Sequence, residues 1–543
     1  MIRRVLAAAV SLAALITIPS AAPMVAPAVG RPLTVFTDKG AVAGATAEGV
    51  GRFLGIPYAA PPVGGLRWQP PAPSATWPGV RSAERPGARC VQTATGTGPG
   101  TSEDCLYLNV YAPERRTERP LPVLFWIHGG GFMNGAGDLY DGSLLARTNN
   151  MVVVTVNYRL GVFGFLDLPG LSARGAGNYG LLDQQAALRW TQRNIGAFGG
   201  DPGRVTVSGE SAGGQSVCSL LASPPARGLF DRAIIQSGGC PSLTTAQSTA
   251  RGRSFATAAG CRAAATGVSC LRAKRADDLL AASGRDFGGI LNGPLPVSGV
   301  PELPVAPGVA VRKGRFADVP LLIGTNRDEI GKWTPPFANA TREQYERVIR
   351  QHFGAHADGV LARYPYGARP GPYSAAYALG AVWTDSSVFY GMGGCQYRRL
   401  AGRFAAQQPR TYFYEFGDPD PPSPGPTPPG FAPGATHATE LAYLWPSMAQ
   451  KPLAPEQQRL SRTMVRYWGA FVRDANPTTR EQPAWPPYRS GRFMSLLPGD
   501  RSKAVGSAVY SARHQCSYWN GIGYDWLTTD PAHLMNALRD RGK

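Results

Sequence analysis

Short apolar runs rich in β-branched residues alternate with longer amphipathic stretches along this chain, and this alternation constrains the fold more than any other feature. Three of the runs, all typical of buried strands, are PVLFWI (122–127), MVVVTVNY (151–158) and VTVS (205–208). Between the second and third runs, residues 179–198 space Leu181, Leu188 and Ile195 at helical intervals. The sequence therefore predicts an α/β fold with a large, mostly parallel central sheet, helices on both faces and long insertions.

The second half of the chain continues the same pattern. Further strands are predicted at RAIIQS (232–237), VPLLIG (319–324) and RTYFYEF (410–416). A helix is predicted from residue 455 to just before Asn476, with one apolar face formed by Leu460, Met464, Trp468 and Phe471. Residues 417–435 are proline-rich and predict a loop. Since no linker divides the chain, we expect residues 29–543 to form one domain.

The first 28 residues have the layout of a secretory signal peptide. Arg3 and Arg4 precede an apolar run from Val5 to Ile18, and small residues follow around residues 26–28. The run is too short to span a bilayer, and no later uncharged stretch is long enough to do so. We therefore expect an exported protein without a membrane span.

Eight cysteines in an exported chain favour disulfides over metal sites, and no Cys-x-x-Cys pair is present. Proximity along the sequence suggests the pairs Cys90–Cys105 and Cys261–Cys270. The formal net charge of +19 is not concentrated in a dense basic run, and no zinc-finger or RNA-binding signature accompanies it. The charge is therefore interpreted as a contribution to solubility, and no nucleic-acid partner is expected.

The stretch VTVSGESAGG (205–214) predicts a strand that breaks sharply at Ser211. A serine between two glycines at such a bend suggests a nucleophile, although this short pattern also occurs by chance in a glycine-rich chain. A second feature supports it, because HGGGF (128–132) directly follows the strand at 122–127. Consecutive glycines leave backbone N–H groups uncovered, as an oxyanion hole for acyl transfer requires.

A serine nucleophile needs a histidine base, and that histidine needs a carboxylate to orient it. TNRDEIG follows the strand at 319–324, so that either Asp328 or Glu329 could supply the carboxylate. Among the six histidines, His437 is best positioned, since it follows the strand at 410–416 through the proline-rich loop. The resulting order of serine, acid and histidine is that of α/β-hydrolases.

Longer motifs in the same order resemble the type B carboxylesterase/lipase family, which includes the cholinesterases. They are FLGIPYAAPPVGGLRWQPP, SEDCLYLNVYAP, NYRLGVFGFL, GNYGLLDQQAALRWTQRNIGAFGGDPGRVTVSGESAGG and RAIIQSG. The resemblance implies an α/β-hydrolase fold with Ser211 as nucleophile, Glu329 as acid and His437 as base. It further implies oxyanion N–H groups from Gly130, Gly131 and Ala212, with Glu210 and Ser237 as buried polar neighbours of the triad.

The same resemblance implies the disulfides Cys90–Cys105, Cys261–Cys270 and Cys395–Cys516. It leaves Cys218 and Cys240 either as a fourth disulfide or as two buried thiols. Two departures from the family pattern affect the loops of the acid and the base, where Asp-Glu-Ile-Gly replaces Asp-Glu-Gly and His437-Ala438 replaces His-Gly. The three proposed roles do not depend on these positions.

The expected function is that of a secreted serine carboxylesterase that needs no metal or organic cofactor and acts as a monomer on small-molecule esters. The loop between Cys90 and Cys105 is short and has no aromatic residue, which disfavours choline esters and a long lipase lid. Small to medium acyl chains are therefore expected. One alternative is a lipase or polyester hydrolase that acts on long-chain or insoluble esters. Another is a non-catalytic adhesion or binding member of the family.

Overall fold

The computed structural model describes residues 32–93, 98, 100–114, 118–171, 174–262, 267–284, 287, 293–387, 391–423 and 425–523. The expected signal peptide, residues 1–28, lies outside these residues. The strands are β1 (Pro32–Thr37), β2 (Gly40–Ala47), β3 (Val50–Pro57), β4 (Val80–Ser82), β5 (Arg89–Cys90), β6 (Thr101–Ser102), β7 (Tyr107–Pro113), β8 (Leu121–Ile127), β9 (Val152–Val156), β10 (Gly200–Glu210), β11 (Arg232–Gln236), β12 (Leu243–Thr244), β13 (Val297–Ser298), β14 (Leu321–Asn326), β15 (Thr411–Phe416), β16 (Arg492–Leu496) and β17 (Lys503–Gly506).

The α-helices follow the first eight strands and are interspersed with the later ones. They are α1 (Ser143–Asn149), α2 (Gly161–Phe165), α3 (Tyr179–Asn194), α4 (Ala212–Ala222), α5 (Thr245–Ala258), α6 (Gly267–Ala273), α7 (Ala276–Ala282), α8 (Pro307–Arg312), α9 (Arg342–Phe353), α10 (Ala357–Arg363), α11 (Ser374–Asp385), α12 (Gly394–Gln407), α13 (Leu441–Leu444), α14 (Pro455–Asp474), α15 (Ser507–Arg513) and α16 (Cys516–Gly521). None of the described helices is both long and apolar enough to cross a membrane.

One large sheet organises the described residues. Its order is β1-β2-β3-β7-β9-β8-β10-β11-β14-β15-β16-β17, and β4 pairs with β2 outside this path. The central block from β9 to β16 is parallel throughout, whereas the pairs that flank it on the path are antiparallel. The predicted mostly parallel central sheet is therefore confirmed.

Helices cover both faces of this sheet, and the central strand β8 shows how its sequence allows this. Every residue of β8 is buried. Its side chains point alternately to the two faces, because successive residues of a strand face opposite sides. Phe125 packs in an apolar cluster with Leu188 of α3, whereas Trp126 packs in a second cluster with Met464 of α14. A strand buried on both faces reads as a continuous apolar run, as PVLFWI does.

The parallel block fixes where the functional loops lie. In parallel strands the carboxyl ends meet at one edge of the sheet, and ligands bind in the crevice beyond that edge. The segments after β8, β10, β14 and β15 contain, in that order, Gly130, Ser211, Glu329 and His437. Register brings β8 and β10 together up to their ends, since Ile127 is paired with Gly209.

Four disulfides tie the described residues together, which confirms the expectation of a disulfide-bonded chain. They are Cys90–Cys105, Cys261–Cys270, Cys395–Cys516 and Cys218–Cys240. The first three coincide with the pairs that the family resemblance implies. The fourth resolves the alternative left open for Cys218 and Cys240, because the two form a disulfide rather than two buried thiols.

Candidate active site

Ser211 alone forms the turn between β10 and α4. The strand ends at Glu210 and the helix begins at Ala212. Ser211 has φ 57° and ψ −124°, a conformation that L-residues rarely adopt. Its N–H donates to Gln236 O over 2.9 Å, and its own carbonyl accepts from Gln215 N over 2.9 Å. The backbone is thus held in a strained turn that exposes the serine side chain to the adjoining cavity.

The two glycines around this turn are required by close packing. A Cβ atom at Gly209 would overlap the backbone of Gly213, and one at Gly213 would overlap the carbonyl oxygen of Ile127. Neither of these contacts is with a flexible side chain that could move away. The Gly-x-Ser-x-Gly pattern therefore reflects how closely α4 packs against β8 and β10.

His437 and Glu329 form a buried polar pair in the site. His437 Nδ1 lies 2.7 Å from Glu329 Oε2, and both side chains are buried. The other carboxylate oxygen of Glu329 accepts hydrogen bonds from three donors, which are Ser237 Oγ (2.5 Å), Thr325 Oγ1 (2.7 Å) and Asn326 N (2.7 Å). These hydrogen bonds hold the carboxylate of Glu329 in place, and the carboxylate in turn sets the orientation of the His437 ring.

The charge state of Glu329 follows from these contacts. Burial raises the pKa of this carboxyl group, but the charge of His437 and the hydrogen bonds from His437, Ser237 and Asn326 outweigh burial and hold it below its ordinary value. Glu329 is therefore an anion at neutral pH. Its neighbour Asp328 faces elsewhere, because it pairs with Arg327 at 2.8 Å and accepts from Ala435 N at 2.9 Å.

The second ring nitrogen of His437 is open toward the cavity. Nε2 is buried and forms no hydrogen bond with any described residue. It lies 3.2 Å from Glu210 Oε1, within ion-pair distance, but that oxygen also has no hydrogen-bond partner among the described residues. Trp333 packs against the imidazole with ring centroids 5.1 Å apart. The nitrogen opposite the acid is thus free to exchange a proton with a group in the cavity.

The glycine loop after β8 lies directly against Ser211. A Cβ atom at Gly129 would be 3.0 Å from Ser211 Cβ, which shows how close the two segments are. Gly130 and Gly131 have φ values of 99° and 62°, which side chains disfavour. Neither glycine nor Ala212 donates its N–H to a described residue. Three backbone donors near Ser211 are therefore available to an oxygen atom of a ligand.

Two further carboxyl groups are buried beside the site, at Glu210 and Glu440. Burial raises the pKa of Glu210 to about 8, a rise that Lys332 opposes and Glu329 reinforces. Burial, helped by Glu210 and Glu329, also raises the pKa of Glu440 to about 8. Glu440 accepts from Asn326 Nδ2 at 2.6 Å and from Gln236 Nε2 at 3.2 Å. Both groups are largely protonated at neutral pH, so that Glu329 remains the anion of the site.

A cavity of about 900 Å³ opens beside these groups. Its lining includes Ser211, His437, Glu210 and the glycine loop, together with Lys332 and Trp333 from the turn that begins at Glu329. Much of its outer wall comes from the proline-rich loop predicted at 417–435. In the described residues, no cluster of three or more histidine, cysteine or acidic side chains is arranged to hold a metal ion.

The structure thus brings together every residue that the sequence singles out for this site. Four features were not foreseen, which are Lys332, Trp333, Glu440 and the proline-rich wall. Lys332 follows the expected acid Glu329 by three residues, and Glu440 follows the expected base His437 by three. This closeness along the sequence could have identified both as neighbours of the site. Another histidine, His514, is buried between Asp385 and Glu415 and lies outside this cavity.

The chain is similar in sequence and in fold to known esterases. A model described as the carboxylesterase family matches residues 31–519. The chain is 37% identical over 507 residues to cocaine esterase of Oryctolagus cuniculus, covering 87% of this chain and 92% of that one. It is 36% identical over 490 residues to para-nitrobenzyl esterase of Bacillus subtilis (strain 168), covering 85% of this chain and 94% of that one. A solved structure of PNB esterase matches with a TM-score of 0.73 and 35% identity, covering 89% of this chain and 99% of that chain, which confirms the α/β-hydrolase fold.

Proposed function

The chain belongs to the carboxylesterase family and is a carboxylic ester hydrolase, and we propose that it is a secreted serine esterase for small to medium-sized esters. Ser211 is the proposed nucleophile, His437 the general base and Glu329 the acid that orients it. The N–H groups of Gly130, Gly131 and Ala212 form the proposed oxyanion hole. Glu210 and Ser237 support the triad as buried polar neighbours.

The proposed reaction has two acyl-transfer steps. Ser211 Oγ attacks the ester carbonyl carbon while His437 Nε2 takes the hydroxyl proton, and the oxyanion hole accepts the negative oxygen. The C–O bond to the alcohol then breaks, and His437 donates its proton to the departing oxygen. Water, deprotonated by the same nitrogen, attacks the acyl-enzyme and releases the acid. Glu329 stabilises the imidazolium in both steps and keeps Nδ1 protonated.

One observation carries these assignments. The 2.7 Å contact between His437 Nδ1 and Glu329 Oε2 leaves Nε2 without a partner among the described residues, in a cavity that Ser211 also lines. A histidine held this way by a carboxylate anion keeps its other nitrogen able to take the proton of a nucleophile that reaches it. The strained turn at Ser211 and the glycine loop support the assignment of the other two roles.

The proposed substrate size rests on the cavity and on the relatives. A volume of about 900 Å³ falls within the range of drug-sized ligand pockets. Two of the relatives are named for the esters of small molecules, cocaine and para-nitrobenzyl alcohol. The rigid prolines of the outer wall also favour a cavity that keeps its shape, because proline restricts the backbone.

A chain-length series of p-nitrophenyl esters, from acetate to palmitate, tests this function. The wild type should hydrolyse short and medium chains fastest, and Ser211→Ala should retain the fold, by circular dichroism, but lose nearly all turnover. A maximum at palmitate would identify a lipase instead. Equal hydrolysis by the wild type and Ser211→Ala would contradict the assignment of Ser211.

Secretion is proposed from the leader-like residues 1–28 together with the four disulfides, since disulfides form and persist in oxidising compartments. We also propose that residues 29–543 form one α/β-hydrolase domain. N-terminal sequencing of protein recovered from the medium tests the first proposal, with a start near Val29 expected. A full-length chain retained inside the cells would contradict it.

A further inference from the structure

Lys332 places an amino group beside the proposed catalytic groups. It lies on the turn Glu329–Trp333 that carries the acid, and its side chain is half-buried. Its Nζ donates a long hydrogen bond of 3.4 Å to the carbonyl oxygen of His437 and lies 4.9 Å from the centre of the Trp333 ring. Because Lys332 also lines the cavity that contains Ser211, its ammonium group is within reach of a bound substrate.

This cation differs from the deeply buried cations of the same fold. Three buried arginines each form an ion pair with a carboxylate, in the pairs Arg67–Glu103, Arg89–Asp138 and Arg159–Asp183. No described carboxylate lies within ion-pair distance of Lys332 Nζ. A carbonyl oxygen at 3.4 Å and an aromatic face satisfy an ammonium group only partly, since they supply no negative charge. Lys332 therefore has capacity for an anionic partner.

The neighbouring carboxyl groups do not fill that role. Glu210 and Glu440 keep their protons at neutral pH, because burial raises both pKa values to about 8. Glu329 is ionised, but its oxygens are taken by His437 and by three further donors. Partial removal from water lowers the pKa of Lys332, whereas Glu210, Glu329 and Glu440 raise it. An anion that enters the cavity would likewise favour the ammonium form and be attracted by it.

We propose that Lys332 binds a carboxylate of the substrate, so that the preferred substrates are esters that carry a free carboxylate on their acyl or their alcohol part. This inference rests on the proposed function, since it names the substrate class of the same cavity. The bound carboxylate would accept a charge-assisted hydrogen bond from Nζ while the ester carbonyl lies at Ser211. Lys332 acts here as a specificity residue.

Two matched pairs of esters test the proposal. 4-Acetoxybenzoate and its methyl ester differ in a carboxylate on the alcohol part. Mono-4-nitrophenyl adipate and its methyl ester differ in a carboxylate on the acyl part. For each pair the measured quantity is the ratio of kcat/KM for the acid to kcat/KM for its methyl ester, so that a general effect of a variant on catalysis cancels.

The variants are Lys332→Met, Lys332→Arg and, as the matched control, Lys313→Met. Lys313 is exposed at the end of α8 and does not line the cavity. In at least one pair, Lys332→Met should lower the ratio by about tenfold or more, equivalent to about 1.4 kcal/mol. Lys332→Arg should restore part of the loss because it keeps the charge, and Lys313→Met should leave both ratios unchanged.

An unchanged ratio for both pairs in Lys332→Met would overturn the proposal. So would an equal fall of the ratio in Lys313→Met, because the effect would then arise from net charge rather than from a bound ion pair. Failure of the proposed function is a separate result. In that case neither methyl ester would be hydrolysed in a manner that depends on Ser211, whatever the residue at position 332.

Discussion

Glu210 Oε1 lies 3.2 Å from His437 Nε2, on the side of the imidazole opposite to Glu329. The proposed base is therefore placed between two carboxyl groups whose pKa values are shifted in opposite directions. Burial raises that of Glu210 to about 8, whereas at Glu329 the charge of His437 and the hydrogen bonds from His437, Ser237 and Asn326 outweigh burial and hold the pKa below its ordinary value. Near neutral pH the imidazole thus has one charged and one mainly neutral carboxyl neighbour.

Glu210 should make the stability of the fold depend on pH. The folded state keeps its proton up to about pH 8, whereas the unfolded chain loses it near the ordinary value of 4.5. Because the folded state binds more protons in this window, the free energy of unfolding should fall as the pH rises from about 4.5 to 8. One such group contributes at most about 1.4 kcal/mol per pH unit.

Urea unfolding of the wild type and Glu210→Gln between pH 5 and 8 measures this contribution. Glutamine cannot ionise, so that the variant should gain stability relative to the wild type as the pH rises through this window. A difference between the two proteins that stays constant from pH 5 to 8 would show that Glu210 does not titrate as described.

Glu329 and Asp328 are adjacent acids with different expected importance. Glu329→Gln removes the negative charge that fixes the tautomer of the neutral imidazole and stabilises the imidazolium. The value of kcat should therefore fall by about 1000-fold or more. Asp328→Asn is the matched control, because Asp328 pairs with Arg327 rather than with His437, and its kcat should stay within about threefold of the wild type. Steady-state kinetics on p-nitrophenyl butyrate distinguish the two, and equal losses would reject Glu329 as the specific partner of His437.

Gly213 should not tolerate alanine. Its added Cβ would overlap the carbonyl oxygen of Ile127, and the next nearest atoms, of Ile127 and His128, are backbone atoms that cannot move away easily. We expect Gly213→Ala to lose several kcal/mol of stability or to remain insoluble. Gly402→Ala is the control, since Gly402 also lies within a helix but has open space around it. It should be neutral or stabilising by about 1 kcal/mol, and equal melting temperatures for the two variants would refute the packing argument.

The disulfide Cys218–Cys240 should contribute to stability, because it links α4 to the segment that follows β11. Its cysteines are 22 residues apart, and both are buried. By the loop-entropy model, replacing both by alanine should lower the free energy of unfolding by about 3 kcal/mol. Chemical denaturation of the double variant measures the loss. If the double variant unfolds at the same denaturant concentration as the wild type, the disulfide does not contribute to the free energy of unfolding.

The main features of the fold could be predicted because they depend on local patterns. Continuous apolar runs predicted the buried parallel strands, and the spacing of Leu460, Met464 and Trp468 predicted α14. The order of the strands could not be read from the sequence, since β8 lies between β9 and β10 in space. That order depends on how the whole sheet packs, and no single segment encodes it.

The candidate site could be predicted where long motifs and strand ends coincide, as at Ser211 and the glycine loop. From the sequence, the choice of Glu329 over Asp328 rests on the family resemblance, and the hydrogen bond between Glu329 and His437 supports it. The environment of Lys332 could not be foreseen, because its neighbours come from distant segments and only the fold brings them together. The same holds for the raised pKa of Glu210, which depends on burial.

Ester hydrolysis should proceed through an acyl group bound to Ser211. Acid quenching during turnover of p-nitrophenyl butyrate, followed by peptide mapping by mass spectrometry, detects this intermediate. We expect one butyryl group on the peptide that contains Ser211, and none in Ser211→Ala. An acyl group on any other residue of the wild type, or undiminished turnover in Ser211→Ala, would rule out Ser211 as the nucleophile.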